Sequence, residues 1–484
     1  MYKKQKQIEC HQEVKTMSTL IENGHVVTMN ENREVFEDGY VLVEDDGRIA
    51  SVGPLENTPH GSFSKRINAK GMIVLPGLIN LHQHHWYNLF KGLAPGLLLE
   101  EWVNGLLLPC AAELTPQDIR ASAYLSALEM IRTGTTCCLN HSVTTTMEAE
   151  VRATIEPMAE IGFRQVFAKD FRCQTPSNPH HPHSVSDSES YIAELIDNLN
   201  GNKNGLIRMA LAIESNAHWL AAGMSSDILV ETGYRLAKEK NLKITNHTAG
   251  GTLSMETGYL HYLRETGRTD VRYLVQMGLL DSHWLLIHAI NINDTDINHM
   301  SESGCHAVYT PTSESMRGGG IGPWVRLIKA GVNCALGTDG PMVDYSVDIV
   351  EQMKACTLIQ NTNHLNPKVM PIERSLEMAT INAAKALGME DEIGSLESGK
   401  RADISVFDMR GPHLQVIHNP IANFICCARG ADAYTVMIDG KIILSEGQFI
   451  NFTGVNEVIE EATQRGRAIA KKAGVSKRAQ PIWH

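Results

Sequence analysis

Two kinds of hydrophobic patterning divide the chain. From Leu20 to about Ile73, short alternations of β-branched and polar residues ("LIENGHVVTM", "GYVLVEDDGRIASVG", "KGMIVLPG") are broken by Asn-Gly and Asp-Gly, which predicts a meander of strands. From Leu75 onward, short apolar runs alternate with longer helical patterns, as in successive βα units of a parallel sheet. Eight such runs can be counted: "IVLPGLINLHQH", "GTTCCLNHS", "GFRQVFAKDF", "LIRMALAIES", "LKITNHTAG", "HWLLIHAI", "CHAVYTPT" and "NCALGTDG". Eight repeats without a switch in winding predict an α/β fold, a (β/α)8 barrel over residues 75–391. Between the first two runs, Thr115 as N-cap, Pro116 at the first helical position, Asp118 in the first turn and Gly134 beyond the end bracket a helix.

Strand-like alternation returns after about Ile393 in "GSLESGKRADISVFD" and "YTVMIDGKIILSEGQFI". It has the character of the N-terminal stretch, so residues 17–74 and 392–450 are expected to pair into one composite β-sandwich beside the barrel. A charged helix and tail follow over 451–484, and residues 1–16, ahead of Met17, read as an N-terminal extension.

Composition narrows the functional classes. A chain of 484 residues with 43% hydrophobic and 20% charged positions buries a large core. A formal charge of −12, with basic residues clustered only in "MYKKQKQ", argues against nucleic-acid and anionic-membrane partners. There is no apolar run of membrane-spanning length and no signal-peptide core, so a cytoplasmic protein is expected. The ten cysteines contain no CxxC pair, and Cys137-Cys138 and Cys426-Cys427 lie in apolar runs where they are expected to pack as small hydrophobes.

Barrel strands bring their C-terminal ends to one mouth. The first run ends His82-Gln83-His84, whose alternation turns both rings to one side. The fifth ends at His247, the sixth at His288 and the eighth at Asp339. Four imidazoles and a carboxylate converging there suit a borderline divalent ion such as Zn2+ or Fe2+.

Together with "PGLINLHQH", "IRTGTT", "GVNCALGTDG", "SLESGKRADISVFD" and "VMIDGKII", these strand ends resemble the amidohydrolase superfamily, in particular its aminohydrolase and chlorohydrolase cluster of guanine deaminase and triazine hydrolase-like enzymes. The resemblance spans nearly the whole chain after Met17. It implies a barrel with a composite sandwich and one divalent metal, zinc before iron, held by His82, His84, His247 and Asp339. Asp339 and His288 are the implied catalytic residues, Asp339 shuttling a proton and His288 assisting as electrophile or proton donor. A small-molecule substrate and a homo-oligomer are implied as well. Such a metal lowers the pKa of water from about 15.7 to about 7 and makes hydroxide available at neutral pH.

One departure matters most. Deaminases of this family usually carry a glutamate three residues after the strand-five histidine, which protonates a ring nitrogen of the substrate. Here that position is Gly250. Glu214, ending the fourth run, is a candidate second-metal ligand or relay, and Glu314, in the loop after the seventh, a candidate relay. Lys169 and Asp170 close the third run. His141, Trp86 and Lys169 are candidate substrate contacts, with Tyr87 beside Trp86 in the first loop. His85 points away from the metal-binding side as a supporting residue, and the loop with His180, His181 and His183 reads as a solvated or lid segment. The expected activity is metal-dependent cleavage of a carbon–nitrogen bond at an sp2 carbon of an amide, anilide, urea or carbamate. The alternatives are a deaminase or dechlorinase of a purine, pyrimidine or s-triazine, and an inactive binding module on the same fold.

Overall fold

The computed structural model describes residues 18–142, 147–174, 182–216, 220, 224–250 and 259–480. The extension over 1–16 lies outside the described residues, as do His180 and His181. Five strands open the chain: β1 (Thr19–Val27), β2 (Val35–Val43), β3 (Ile49–Pro54), β4 (Lys65–Asn68) and β5 (Met72–Pro76). Four more follow the barrel: β14 (Ile404–Asp408), β15 (Ala433–Ile438), β16 (Lys441–Ser445) and β17 (Gln448–Phe449). The two ends of the chain meet where β5 pairs antiparallel with β14, and all nine strands join one mixed sheet.

The barrel strands are β6 (Leu78–Gln83), β7 (Thr135–His141), β8 (Arg164–Asp170), β9 (Ile207–Ala212), β10 (Ile244–Thr248), β11 (Trp284–His288), β12 (His306–Tyr309) and β13 (Asn333–Leu336). They pair in parallel in sequence order. The seam between the first and last strands is closed at its upper end. There Thr338 N and Asp339 N donate to His82 O at 3.1 and 3.0 Å, and Asn80 Nδ2 donates to Thr338 Oγ1 at 2.9 Å. The closure therefore sets Asp339 beside His82.

Ile79, Leu81, Leu139, Val166, Ala168, Ala210, Ala212, Ile287 and Val308 fill the barrel interior as a packed core. The alternate positions, among them Phe167, Leu211 and Leu286, pack in the larger core cluster that includes the surrounding helices. Helix Pro116–Arg132 starts as its sequence dictates: Thr115 and Asp118 form a reciprocal capping box.

Cys137 and Cys138 are buried on β7, as expected, but Cys426 and Cys427 are exposed. Asn419 caps the segment by accepting from Ala422 N, and Pro420 sits at its first turn, so "PIANFICC" folds as a helix rather than a strand. Its buried side is taken by Phe424 and Ile425, which leaves the two thiols outside. The charged C-terminal helix runs over Val455–Lys472 and returns to the barrel, Arg465 Nη1 reaching Asp118 Oδ1 at 3.0 Å.

Candidate metal centre

Three ring nitrogens and one carboxylate oxygen face one another at the barrel mouth. His82 Nε2 and His84 Nε2 each lie 3.5 Å from Asp339 Oδ1, and His247 Nε2 lies 3.4 Å from His84 Nε2. Ligands about 2.1 Å from a tetrahedral ion sit about 3.4 Å apart, so these separations are compatible with the edges of a tetrahedral shell around a divalent ion. His82 adds a second indication: its ring is fully buried and neither nitrogen has a hydrogen-bond partner among the described residues. An imidazole so placed needs an acceptor of its lone pair, which a cation provides.

Neighbouring groups set the tautomers. His84 Nδ1 donates to the carbonyl of His141 at 2.6 Å, and His247 Nδ1 donates to Glu214 Oε1 at 2.5 Å. In both rings the proton is held on Nδ1 and the Nε2 lone pair faces inward. Burial, ahead of all other influences, keeps His82 and His84 well below the usual imidazole range and hence neutral. For Asp339, burial works in the opposite direction but is outweighed by His82 and by the Arg317 charge, so its carboxyl is held well below the usual carboxylate range. His288 and Asp339 both sit at positive φ, 74° and 65°. Such conformations cost roughly 1–3 kcal/mol each and persist where the surroundings enforce them.

Glu214 is fully engaged. Oε1 accepts from His247 and lies 3.0 Å from His141 Nε2, while Oε2 accepts from Asn216 Nδ2 at 2.7 Å. Candidate ligand atoms of His141, Glu214 and His247 lie within 4.8 Å of one another, as do those of His82, His288 and Asp339. His288 Nδ1 is held by the Glu314 carboxylate and lies 3.0 Å from Thr310 Oγ1. Glu314 in turn accepts from Thr310 Oγ1 at 3.0 Å and pairs with Arg317 Nη2 at 3.1 Å. A Cβ on Gly250 would stand 3.1–3.2 Å from the His288 ring, so the backbone at 250 covers that ring more closely than most side chains permit.

The remaining expected residues are placed unevenly. His141 belongs to the cluster, its ring centroid 4.3 Å from that of His247. Tyr87 lies against His84 at 4.5 Å, and a Cβ on Gly340 would come within 2.1 Å of its ring. Trp86 packs instead in an apolar group with Phe90, Leu106 and Ile469. Lys169 follows the inward-facing Ala168, shares the parity of Phe167, and donates to the carbonyl of Asp170 at 2.8 Å. Asp170 is itself paired with Arg172 at 3.2 Å. His85 lies 3.5 Å from Ser126 Oγ, and burial lowers its pKa to about 3. His183 contacts Gln174 Oε1 at 2.6 Å. Sequence reasoning missed Ser313, which donates to Asp339 Oδ2 at 2.6 Å, and Arg317 beside it. Ser313 shares the short helix Pro311–Met316 with Glu314 and Arg317 caps its end, and that link to an already suspected residue was the available signal.

Glu214→Gln is expected to weaken metal retention by about 10–100-fold with the fold intact, because the amide no longer accepts from His247 Nδ1 as a charged partner. Titration with a competing chelator measures it; unchanged retention would exclude this orienting effect.

The amidohydrolase family profile matches residues 73–443. The chain is 32% identical over 454 residues to a 5-methylthioadenosine/S-adenosylhomocysteine deaminase of Syntrophobacter fumaroxidans, covering 93% of this chain and 98% of that one. It is also 32% identical to a 5'-deoxyadenosine deaminase of Methanothermobacter thermautotrophicus, covering 87% and 91%. Among solved structures, a zinc-bound adenosine deaminase from Xanthomonas campestris superposes with a TM-score of 0.85 at 24% identity, covering 94% of this chain and 98% of that one. A zinc complex of atrazine chlorohydrolase from Arthrobacter aurescens gives 0.83 at 22%, covering 93% and 100%. The inactive-module alternative gives way: the chain belongs to the amidohydrolase family and is a metal-dependent enzyme that hydrolyses a carbon–nitrogen bond of a small molecule.

Proposed function

We propose that the enzyme cleaves an amide, anilide, urea or carbamate, using one zinc ion held by His82, His84, His247 and Asp339. The carrying observation is Gly250. Where family deaminases hold a ring-protonating carboxylate, this chain has a residue without a side chain, pressed onto the His288 ring. Glu314 does not substitute for that carboxylate, because one of its oxygens is engaged by His288 and Thr310 and the other by Arg317. A planar carbonyl-type carbon needs no ring protonation, so the residues present suffice for it.

When bound, the ion supplies acidified water at neutral pH. Asp339, kept ionised, accepts a proton from the attacking water and passes it to the leaving nitrogen. Ser313 holds the second oxygen of Asp339, so the carboxylate keeps a single orientation. Glu314 anchors His288 at Nδ1; donation from Nε2 to the oxygen on which negative charge develops then requires protons on both ring nitrogens, with the Glu314 carboxylate compensating the charge. One ion is favoured over two, because Glu214 already serves as acceptor for His247, His141 and Asn216.

A second reading, deamination of an aminated heterocycle, is favoured by the relatives named as 5-methylthioadenosine and 5'-deoxyadenosine deaminases. Under it, protons would pass between Glu314 and the substrate through His288. Product analysis with the zinc-loaded enzyme separates the two. Release of a substituted amine from anilides or ureas, without ammonia from 5-methylthioadenosine, is the expected result; the reverse pattern would overturn the first reading.

A further inference from the structure

Gln352 places a polar amide on the buried face of helix Ile349–Asn363, in phase with Cys356 one turn later, and is 0% exposed. A carboxamide so placed must find partners for its acceptor and its donors. Oε1 accepts from Thr312 N at 3.3 Å and from Thr312 Oγ1 at 2.8 Å, and Nε2 donates to Asp344 Oδ2 at 2.9 Å. The orientation of the amide follows, because Thr312 N can only donate.

Both partners belong to segments that shape the metal centre. Thr312 stands in the first turn of helix Pro311–Met316, where backbone N–H groups lack intrahelical acceptors, and its N-cap residue Thr310 makes no side-chain cap bond. Gln352 therefore supplies, from another helix, the acceptor that a capping side chain would otherwise give. The next residue, Ser313, donates to Asp339 Oδ2 at 2.6 Å, and Glu314 after it holds His288. On the other side, Asp344 N donates to the carbonyl of Gly340 at 2.9 Å, one residue beyond Asp339. The amide thus spans the two backbone segments that bring Ser313 and Asp339 together. Gln352, Ser313, Asp339 and Asp344 are each 7% exposed or less, so little solvent reaches them to replace a lost bond.

We propose that Gln352 is a positioning residue: by joining Thr312 to Asp344 it keeps Ser313 on Asp339, and so fixes the orientation in which that carboxylate meets the ion. The inference rests on the reading above in which Asp339 is a metal ligand, and extends it to a residue that touches neither ion nor substrate.

Zinc affinity of the full-length enzyme, by competition with a chelator, is the first readout; KM and kcat of zinc-saturated samples, on the compound that the product analysis finds to be turned over, are the second. Urea unfolding reports whether each variant is folded. Gln352→Leu is expected to weaken zinc binding and to lower kcat by about tenfold each, with KM within about twofold. Ser313→Ala removes the contact itself and costs at least as much; adding Gln352→Leu to it costs less than about twofold more, because both act through one contact. The exchange Gln352→Glu/Asp344→Asn reverses donor and acceptor between the two side chains, keeps the acceptor for Thr312 and conserves net charge. It is expected to restore zinc affinity to within about threefold of the parent. If Gln352→Leu does not fold, Thr312→Val, which removes only the Oγ1 bond, is expected to weaken zinc binding about threefold and to lose that effect in the Ser313→Ala background. Parent-like zinc affinity in folded Gln352→Leu, additive losses with Ser313→Ala, or a folded exchange variant as weak as Gln352→Leu overturns the proposal. Asp339→Asn is measured alongside. Parent-like affinity there removes the reading of Asp339 as a ligand together with the proposal, whereas weakened affinity there beside an unaffected Gln352→Leu leaves that reading standing and overturns the role of Gln352 alone.

Discussion

Asp339→Asn is expected to lower kcat by roughly 100-fold or more while the fold is retained, since positioned acid–base groups contribute at least that much. Asparagine keeps the shape of the side chain and can still accept from Ser313. It cannot take a proton from water, and it offers a neutral oxygen where His82 and His84 approach a carboxylate at 3.5 Å. Both losses arise from one charge, so the variant must be assayed with its zinc content measured in parallel. Residual activity with zinc still bound reports the proton shuttle; loss of zinc reports the ligand. Turnover within about threefold of the parent, with zinc retained, would exclude Asp339 as the shuttle.

Arg164→Met is the corresponding test of the scaffold. Arg164 on β8 forms a bidentate pair with Asp403, Nε to Oδ2 at 2.7 Å and Nη2 to Oδ1 at 3.0 Å, with both side chains 1% exposed. Asp403 also accepts from Asp439 N at 2.8 Å, so the pair ties the floor of the barrel to the start of β14 and the end of β15 in the mixed sheet. Removing the cation leaves a buried carboxylate uncompensated, which is expected to destabilise the enzyme by ~3–5 kcal/mol. The displacement of the urea midpoint at unchanged slope measures this. An Arg164→Met/Asp403→Leu double variant should recover part of the loss, because an apolar pair avoids the stranded charge. A loss below ~1 kcal/mol in the single variant would show that the pair does not join the two parts of the fold.

The candidate metal-binding residues are legible in the chain chiefly because the C-terminal ends of barrel strands converge on one mouth. Convergence of strand ends suffices to group His82, His84, His247, His288 and Asp339, whereas alternation alone does not: Leu81 and Ile287 already face the interior, and register shifts along β6 and a positive φ at His288 accompany the change of phase. Lys169 also ends a strand, one position out of phase with Ala168, but β8 pairs there in unbroken register and nothing turns its side chain back to the mouth. Other features depend on distances that sequence spacing does not encode. Arg164 and Asp403 are 239 residues apart, and each resembles an ordinary surface charge until the sheet closes over it. Glu214 was legible as a strand-end acid, but its commitment to His247, His141 and Asn216 depends on three separate approaches. Gly250 was legible as a missing carboxylate; that it closely covers His288 was not. Cys426 and Cys427 followed the apolar run as expected only until the Asn419 and Pro420 start signal turned that run into a short helix with its thiols outward.

Hydrolysis by this enzyme is proposed to require a single divalent ion held by three imidazoles and Asp339. Elemental mass spectrometry of the full-length protein purified without chelators, paired with activity before and after chelation, tests that requirement at its source. About one zinc per chain is expected, lost together with activity on chelation and restored with it on adding zinc back. Activity that survives complete removal of metal, or a chain that takes up none, would contradict it.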